Sequence, residues 1–343
     1  MMRKKIRIPR FVSRLLVLLA ISAGVGTPAG ASAQLRVDIK QGKIEPLPIA
    51  VVDFFGAGGT AEQLGRDVAR IVGADLARSG LFRLIDPKAF IQGRESLRLR
   101  PRFPAWRQIN AQALVVGTAE IRPSGQLRVE FRLWDVFGGQ QLVGLRSDTQ
   151  PRNWRRIAHI IADAIYKRIT GENGYFDTRV VYIAESGSPM RRVKRLAIMD
   201  QDGANHRYLT DGADLVLTPR FSPTAQEITY LEYRNGLPRV YIYNIDTGQR
   251  EMLGNFPGMT FAPRFSPDGN SVIMSIAQDG NSDVYTMDLR TRRVQRLTNH
   301  PAIDTSPSFS PDGRRVVFNS DRGGRQQLYV MDVGSGGPQR ITF

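Results

Sequence analysis

A chain of 343 residues with 41% hydrophobic residues has room for two domains and enough apolar side chains to bury a core in each, which excludes a disordered polar chain. It contains no cysteine, so a disulfide framework and a thiolate centre are both excluded. Its formal net charge of +16 raises nucleic acid or lipid headgroups as partners, but part of that charge is local.

The amino terminus carries Arg3, Lys4, Lys5, Arg7, Arg10 and Arg14 without an acid, then an apolar run over 15–25 and the small-x-small triplet Ala31-Ser32-Ala33. Residues 1–33 read as a secretory signal peptide of the general route, cleaved near Ala33-Gln34 and too short for a comfortable membrane span. Its removal takes away six positive charges and leaves +10. On an exported chain, a solvated arginine-rich surface is favoured over a nucleic-acid partner.

Leu35, Val37 and Ile39 alternate with polar residues as in a short strand, and a turn-rich linker covers 41–48. A β-rich run over 47–55 ends in four small residues. Thr60 is the expected N-cap of a helix over 61–79, with Leu64, Val68, Ile71, Val72 and Leu76 on one face and Gly80 as the stop. A strand over 81–85 follows, broken by Asp86-Pro87, and residues 94–107 read as an arginine-rich loop around Pro101 and Pro104. An apolar strand over 113–118 and an alternating one through Leu127, Val129, Phe131 and Leu133 lead into a hairpin at Gly138-Gly139. Asn153 is expected to cap a second helix to Thr170, whose inner face is Trp154, Ile157, Ile161, Ile165 and Ile169, with Gly171 after its end. Residues 34–171 therefore read as an α+β domain, a mixed sheet covered by two helices. Residues 171–174, Gly-Glu-Asn-Gly, form the boundary.

Beyond it the pattern changes to strand, turn, strand. Pro263-Arg264-Phe265-Ser266-Pro267-Asp268-Gly269 has counterparts starting at Pro219 and Pro307, each 44 residues from the next. Tyr241, Tyr285 and Tyr329 keep the same step, as do Leu209, Leu253, Leu297 and Ile341. A fixed period of this length with strand content is the signature of a β-propeller, one four-stranded blade per repeat. Residues 175–343 hold about four blades, the first a divergent one over 176–218. Thr224-Ala225 stands where the other copies have Asp-Gly, which makes that turn the least certain.

Motifs for chemistry are missing: the chain contains no Gly-x-Ser-x-Gly, Gly-x-x-x-x-Gly-Lys-Ser/Thr or Gly-x-Gly-x-x-Gly. His159, His206 and His300 are far apart and read as solvated surface rather than ligand or base. Asp200, Asp288 and Asp332 share one blade position and Asp268 and Asp312 another, which fits turns rather than a catalytic pair. Calcium at the hairpins has no supporting run of acids. Arg94, Arg98, Arg100, Arg102 and Arg107 with Arg152, Arg155 and Arg156 could form an anion-binding patch, though a solvated loop is the favoured alternative. No catalytic, cofactor-binding or metal residue is expected.

These parts in this order resemble the TolB family, the soluble periplasmic component of the Tol-Pal envelope system: a signal peptide, an α/β domain entered through an extended segment at 34–48, and repeats of the form Pro-x-Phe-Ser-Pro-Asp-Gly, Leu-Tyr-x-Met-Asp and Leu-Thr. The resemblance implies a six-bladed propeller, hence one that is C-terminally incomplete here. It implies a non-enzymatic binding module without a cofactor, linking the inner-membrane Tol proteins to the lipoprotein Pal and supporting outer-membrane integrity and invagination during division, with only indirect membrane contact. The extended segment would engage TolA through Leu35, Arg36, Val37, Asp38 and Ile39, whose alternation suits addition to a partner's sheet edge. Pairing of that segment with its own domain carries equal weight. Pal would dock at the propeller mouth, on Leu217, Thr218, Met259, Thr260, Phe261, Ala262, Ile303, Asp304 and Thr305, just before the Pro-x-Phe-Ser strands. The alternative from another class is the propeller portion of an exported prolyl-oligopeptidase-like hydrolase lacking its catalytic domain.

Overall fold

A computed structural model of the chain describes residues 45–343 apart from 98–99, 255, 257 and 335. The signal peptide and the strand at Leu35 to Ile39 fall outside the described residues. The described residues all belong to the compact unit that begins at Arg36.

The first domain runs β1 (Leu47–Val51), β2 (Phe55–Gly56), α1 (Gly59–Arg78), β3 (Phe82–Leu84), α2 (Arg94–Leu97), α3 (Phe103–Gln108), β4 (Ala113–Ile121), β5 (Leu127–Asp135), β6 (Gln140–Thr149) and α4 (Trp154–Thr170). Its sheet has the order β3-β1-β4-β5-β6, with β2 also on β4. Parallel pairs join β1 to β3 and β4, and antiparallel pairs join β4, β5 and β6, so the sheet is mixed as expected. Side chains alternate faces along each strand. One face packs on α1 and α4, whose apolar stripes include Val68, Val72 and Leu76 and Ile157, Ile161 and Ile165. On the other face Ala50, Val52 and Leu114 pack against Leu97 and Trp106.

That second face corrects the sequence reading, because residues 94–107 are not a loop but contain α2 and α3. Trp106 is 1% exposed and gives its indole hydrogen to Gln92 Oε1 at 3.0 Å. The arginines hid these helices: Arg94 donates to Phe54 O and Arg107 to the carbonyls of Val136 and Phe137, so cationic residues act as backbone ties. The caps differ too. α1 begins one residue before Thr60, with Gly58 at φ 89° as N-cap and no side-chain capping bond. Asn153 holds the N-cap position of α4 as expected but makes no side-chain capping bond, its amide donating instead to Thr149 Oγ1 at 3.3 Å. Gly171 ends α4 in the left-handed conformation, as its position predicts.

The second domain is a succession of antiparallel meanders. The first sheet holds β7 (Arg179–Ser186), β8 (Val193–Asp200) and β9 (Arg207–Tyr208). The second holds β10 (Leu215–Phe221), β11 (Glu227–Arg234), β12 (Leu237–Asn244) and β13 (Arg250–Met252). The third holds β14 (Met259–Phe265), β15 (Ser271–Gln278), β16 (Asn281–Asp288) and β17 (Val294–Arg296), and the fourth β18 (Asp304–Phe309), β19 (Arg315–Ser320), β20 (Gln327–Asp332) and β21 (Gln339–Arg340). Successive blades bury their facing surfaces. Leu231 and Val240 of the second blade meet Val272, Met274 and Met287 of the third, whose Ile273 and Val284 meet Val316, Phe318 and Met331 of the fourth.

The first blade departs from the four-strand expectation. Leu196 and Ile198 of β8 precede Val240 and Ile242 of β12 by 44 residues, so β7 occupies the place of β11. Among the described residues no strand fills the innermost place beside β7. The other three blades place the Pro-x-Phe-Ser strand there, followed by the Ser-Pro turn. Ser266 N donates to Ser271 O at 2.8 Å and Gly269 N to Ser266 O at 2.9 Å, with Gly269 at φ +74°. The divergent copy also closes, through Ser222 N to Glu227 O at 2.8 Å and Ala225 N to Ser222 Oγ at 3.1 Å.

Candidate partner-binding site at the propeller mouth

Pro219, Pro263 and Pro307 have no N–H to give to a ladder, so each innermost strand must interrupt its pairing there. The register shifts between Leu217 and Arg220, between Phe261 and Arg264, and between Thr305 and Ser308, one bulge per blade at one repeat position. The residue before the proline takes up the distortion: Thr218 has φ +49° and Ser306 φ +54°. Backbone in this region costs a β-branched residue about 1–3 kcal/mol, and such strain gathers where a surface is shaped for use. Thr218 and Ser306 are both exposed.

The expected partner-binding residues divide by burial. Leu217, Phe261 and Thr305 are half-buried and Ile303 is 42% exposed, so these four with Thr218 present apolar and hydroxyl surface. Met259 pairs with Ala277 in the β14–β15 ladder, and Ala262 lies in the β14 bulge. Thr260 and Asp304, both 0% exposed, form the wall beneath rather than the contact surface. Thr260 Oγ1 is buried without a partner. Asp304 accepts from Arg322 Nη2 on both carboxylate oxygens, and its carbonyl accepts from Ser282 Oγ at 3.0 Å, which ties the fourth blade to the third. Ile303 N donates to Asp321 Oδ1 at 2.8 Å, and His300 Nδ1 accepts from Ala302 N at 3.0 Å, so the approach to β18 is a pinned loop.

Two residues of the repeat motif gain a role that was not foreseen. Burial, and then the charge of Arg220, lower the pKa of Arg264, whose Nε is buried without a partner. The innermost strands of the second and third blades thus set one cation within electrostatic reach of another. The signal was legible, since arginine recurs before the phenylalanine at 220 and 264 and serine replaces it at 308.

The histidines fall into two kinds. His206 is exposed and hydrogen-bonded to Tyr182 Oη, and His300 is exposed, as expected. His159 is the correction. It is 2% exposed, its Nδ1 lying 2.6 Å from Asp75 Oδ2. It escaped the sequence reading because the helix face it occupies is covered by a propeller turn more than forty residues downstream. Asp75, His159 and Asp202 offer ligand atoms within 4.8 Å of one another. Yet Asp75 already accepts from His159, Arg78 and Gln201, and Asp202 from Arg155, so cationic and amide donors occupy the lone pairs a metal would need. Arg155 and Arg156 of the expected basic patch are likewise paired, with Asp202 and Asp177.

Residues 35–142 match the TolB amino-terminal domain and residues 166–343 the TolB beta propeller domain. The Tol-Pal system protein TolB of Paramagnetospirillum magneticum is 61% identical over 236 residues, which are 69% of this chain and 53% of that protein. The chain thus spans about half the length of the curated relative it matches. The crystal structure of TolB from Acinetobacter baumannii superposes with a TM-score of 0.75 at 31% identity, covering 90% of this chain and 75% of that one. A prolyl endopeptidase structure matches at 13% identity with a TM-score of 0.38 over 48% of this chain and 28% of its own.

Proposed function

Because the chain belongs to the TolB family, we propose that it is a periplasmic, non-enzymatic scaffold of a Tol-Pal system, binding the lipoprotein Pal at the propeller mouth and TolA of the inner-membrane Tol complex through Leu35 to Ile39. In this role it connects the two membranes through its partners and contributes to outer-membrane integrity and to invagination during division.

The observation that carries the Pal site is the recurring bulge. Three innermost strands each interrupt their ladder at one repeat position, with Thr218 and Ser306 held in left-handed backbone and Leu217, Phe261, Ile303 and Thr305 beside them. Strained backbone, half-buried apolar side chains and free hydroxyls on a pinned rim make a preformed surface, which limits the ordering cost of association. The Arg220 and Arg264 pair adds a place for a partner's carboxylate. The hydrolase alternative finds less support, because both matching domain models and the 61% identical relative are those of TolB.

The reading is tested by retaining the intact chain on a column and passing detergent-solubilised envelope over it. Pal should be held by the native protein and lost from Ile303→Glu at unchanged melting temperature. Equal retention by both would remove the mouth from the Pal assignment.

A further inference from the structure

We propose that the joint between the two domains is a proton-operated clamp, in which a His159 imidazolium lies between Asp75 of the first domain and Asp202 of the propeller and holds the domains together. The joint has three layers. On α1, Asp75 accepts from Arg78 Nη1 at 3.0 Å and from Gln201 Nε2 of the propeller at 3.2 Å. On α4, Arg155 pairs with Asp202 and lies 3.7 Å from Asp200, and Arg156 pairs with Asp177 of the connecting segment at 3.2 Å. Also on α4, Asp163 accepts from the amides of Phe176 at 2.7 Å and Asp177 at 3.1 Å. His159 is at the centre, facing Asp75, Asp202 and Arg155, with Asp163 one turn further along α4.

The two ring nitrogens of His159 are not equivalent. An ionised Asp75 can only accept, so Nδ1 carries a proton toward it. In the neutral ring Nε2 is then a bare lone pair, and it is buried without a partner 4.0 Å from Asp202 Oδ2. Two acceptors face each other across the domain boundary with no hydrogen between them. One added proton converts that opposition into a charge-assisted contact across the boundary. Asp75 and His159 belong to the same domain and stay together whether or not the propeller is docked, so the gain on docking comes from Asp202. Burial opposes the charged ring, but the hydrogen bond to Asp75 and the charges of Asp75 and Asp202 outweigh burial and Arg155, and the pKa of His159 stands above the ordinary imidazole value. A polar cavity of about 450 Å³, lined in part by His159, Arg155, Asp200 and Asn205, gives protons access to the joint.

The sign follows from linkage. Asp202 faces Nε2 only in the docked state and favours the charged ring, so docking binds the proton more tightly, is strongest at low pH and weakens as pH rises through the pKa of the docked ring. Burial raises the pKa of Asp163, and against burial the Ala204 amide and Arg155 lower that of Asp202, so the scan starts at pH ~5.5, above the ordinary carboxylate range.

Hydrogen exchange on the intact chain between pH 5.5 and 8.5, corrected for the intrinsic rate, reads the clamp at the amides of Phe176, Gln201 and Gly203, which hydrogen bonds hold at the joint. Protection there should fall as pH rises, by about tenfold for each unit by which docking raises the pKa of His159, while amides of β15 stay unchanged. His159→Gln, which still donates to Asp75, should make the joint amides independent of pH. Asp202→Asn, in the propeller turn that covers His159, should do the same if the first variant folds poorly. Flat protection in the native chain, a slope that survives in either variant, or an equal slope in β15 would each overturn the clamp.

Discussion

Arg322 Nη2 reaches both carboxylate oxygens of Asp304, at 3.0 and 2.7 Å, with the acid fully buried and the guanidinium stacked over Phe318 and Tyr329. Removing one member of a buried pair leaves the other uncompensated, at a cost of about 3–5 kcal/mol. Asp304→Ala should therefore lower the urea midpoint of the propeller strongly and loosen the loop that presents Ile303. A loss below about 1 kcal/mol would mean that water reaches Arg322 freely.

Gly269 and Gly313 share a turn position and a positive φ, +74° and +72°, but not their surroundings. A Cβ on Gly269 would lie 2.0 Å from Thr224 Oγ1, whereas on Gly313 the nearest atom is 3.7 Å away. Both alanine variants carry the left-handed penalty of about 1–2 kcal/mol, and Gly269→Ala adds a displacement of Thr224 in the neighbouring blade. Thermal unfolding should rank Gly269→Ala as the more destabilised. Equal losses would show that the Thr224 side chain turns away at no cost.

Among the described residues β7 is the edge strand of its sheet, and the place beside it is expected to accept a strand through its backbone amides and carbonyls. A synthetic peptide carrying Pro-Arg-Phe-Ser-Pro-Asp-Gly should slow amide exchange over Arg179–Ser186, and a scrambled peptide should not. Protection by both peptides alike, or by neither, would count against a selective edge.

Glu232 is 1% exposed; its Oε2 accepts from Arg250 at 3.1 Å and Tyr230 at 3.3 Å, while its Oε1 has no partner. Burial raises its pKa against the pull of Arg250. The folded state thus binds this proton more tightly than the unfolded chain, and stability from this group falls as pH rises from the unfolded value of about 4.3 through the folded one. Glu232→Gln should gain on the parent as pH rises across that window in denaturation curves taken from pH 4.5 to 7.5. A difference that shrinks with pH would assign the dominant role to the Arg250 pair.

The propeller was legible because its information is local and repeated. Each Pro-x-Phe-Ser-Pro copy specifies an innermost strand, a bulge and a turn, and even Ser222 with Thr224 and Ala225 makes that turn without the usual Asp-Gly. Helices α1 and α4 were legible from their apolar stripes, but their caps were not, because Gly58 and Asn153 begin helices without a side-chain bond. What escaped depends on distant partners. Trp106 needs Gln92 and the far face of the sheet, and Thr260 and Asp304 look like rim residues until neighbouring strands bury them. His159 was missed for the same reason, its environment being completed by Gln201 and Asp202 of another domain.

The proposed capture of Pal at the propeller mouth is tested most directly by calorimetric titration of purified Pal into the intact chain. Ile303, exposed on a loop pinned by Asp321 and His300, can be changed without entering the core. Ile303→Glu should weaken binding at least tenfold, about 1.4 kcal/mol, with the melting temperature unchanged. Undiminished affinity in a folded Ile303→Glu variant would contradict the assignment of Pal to this face.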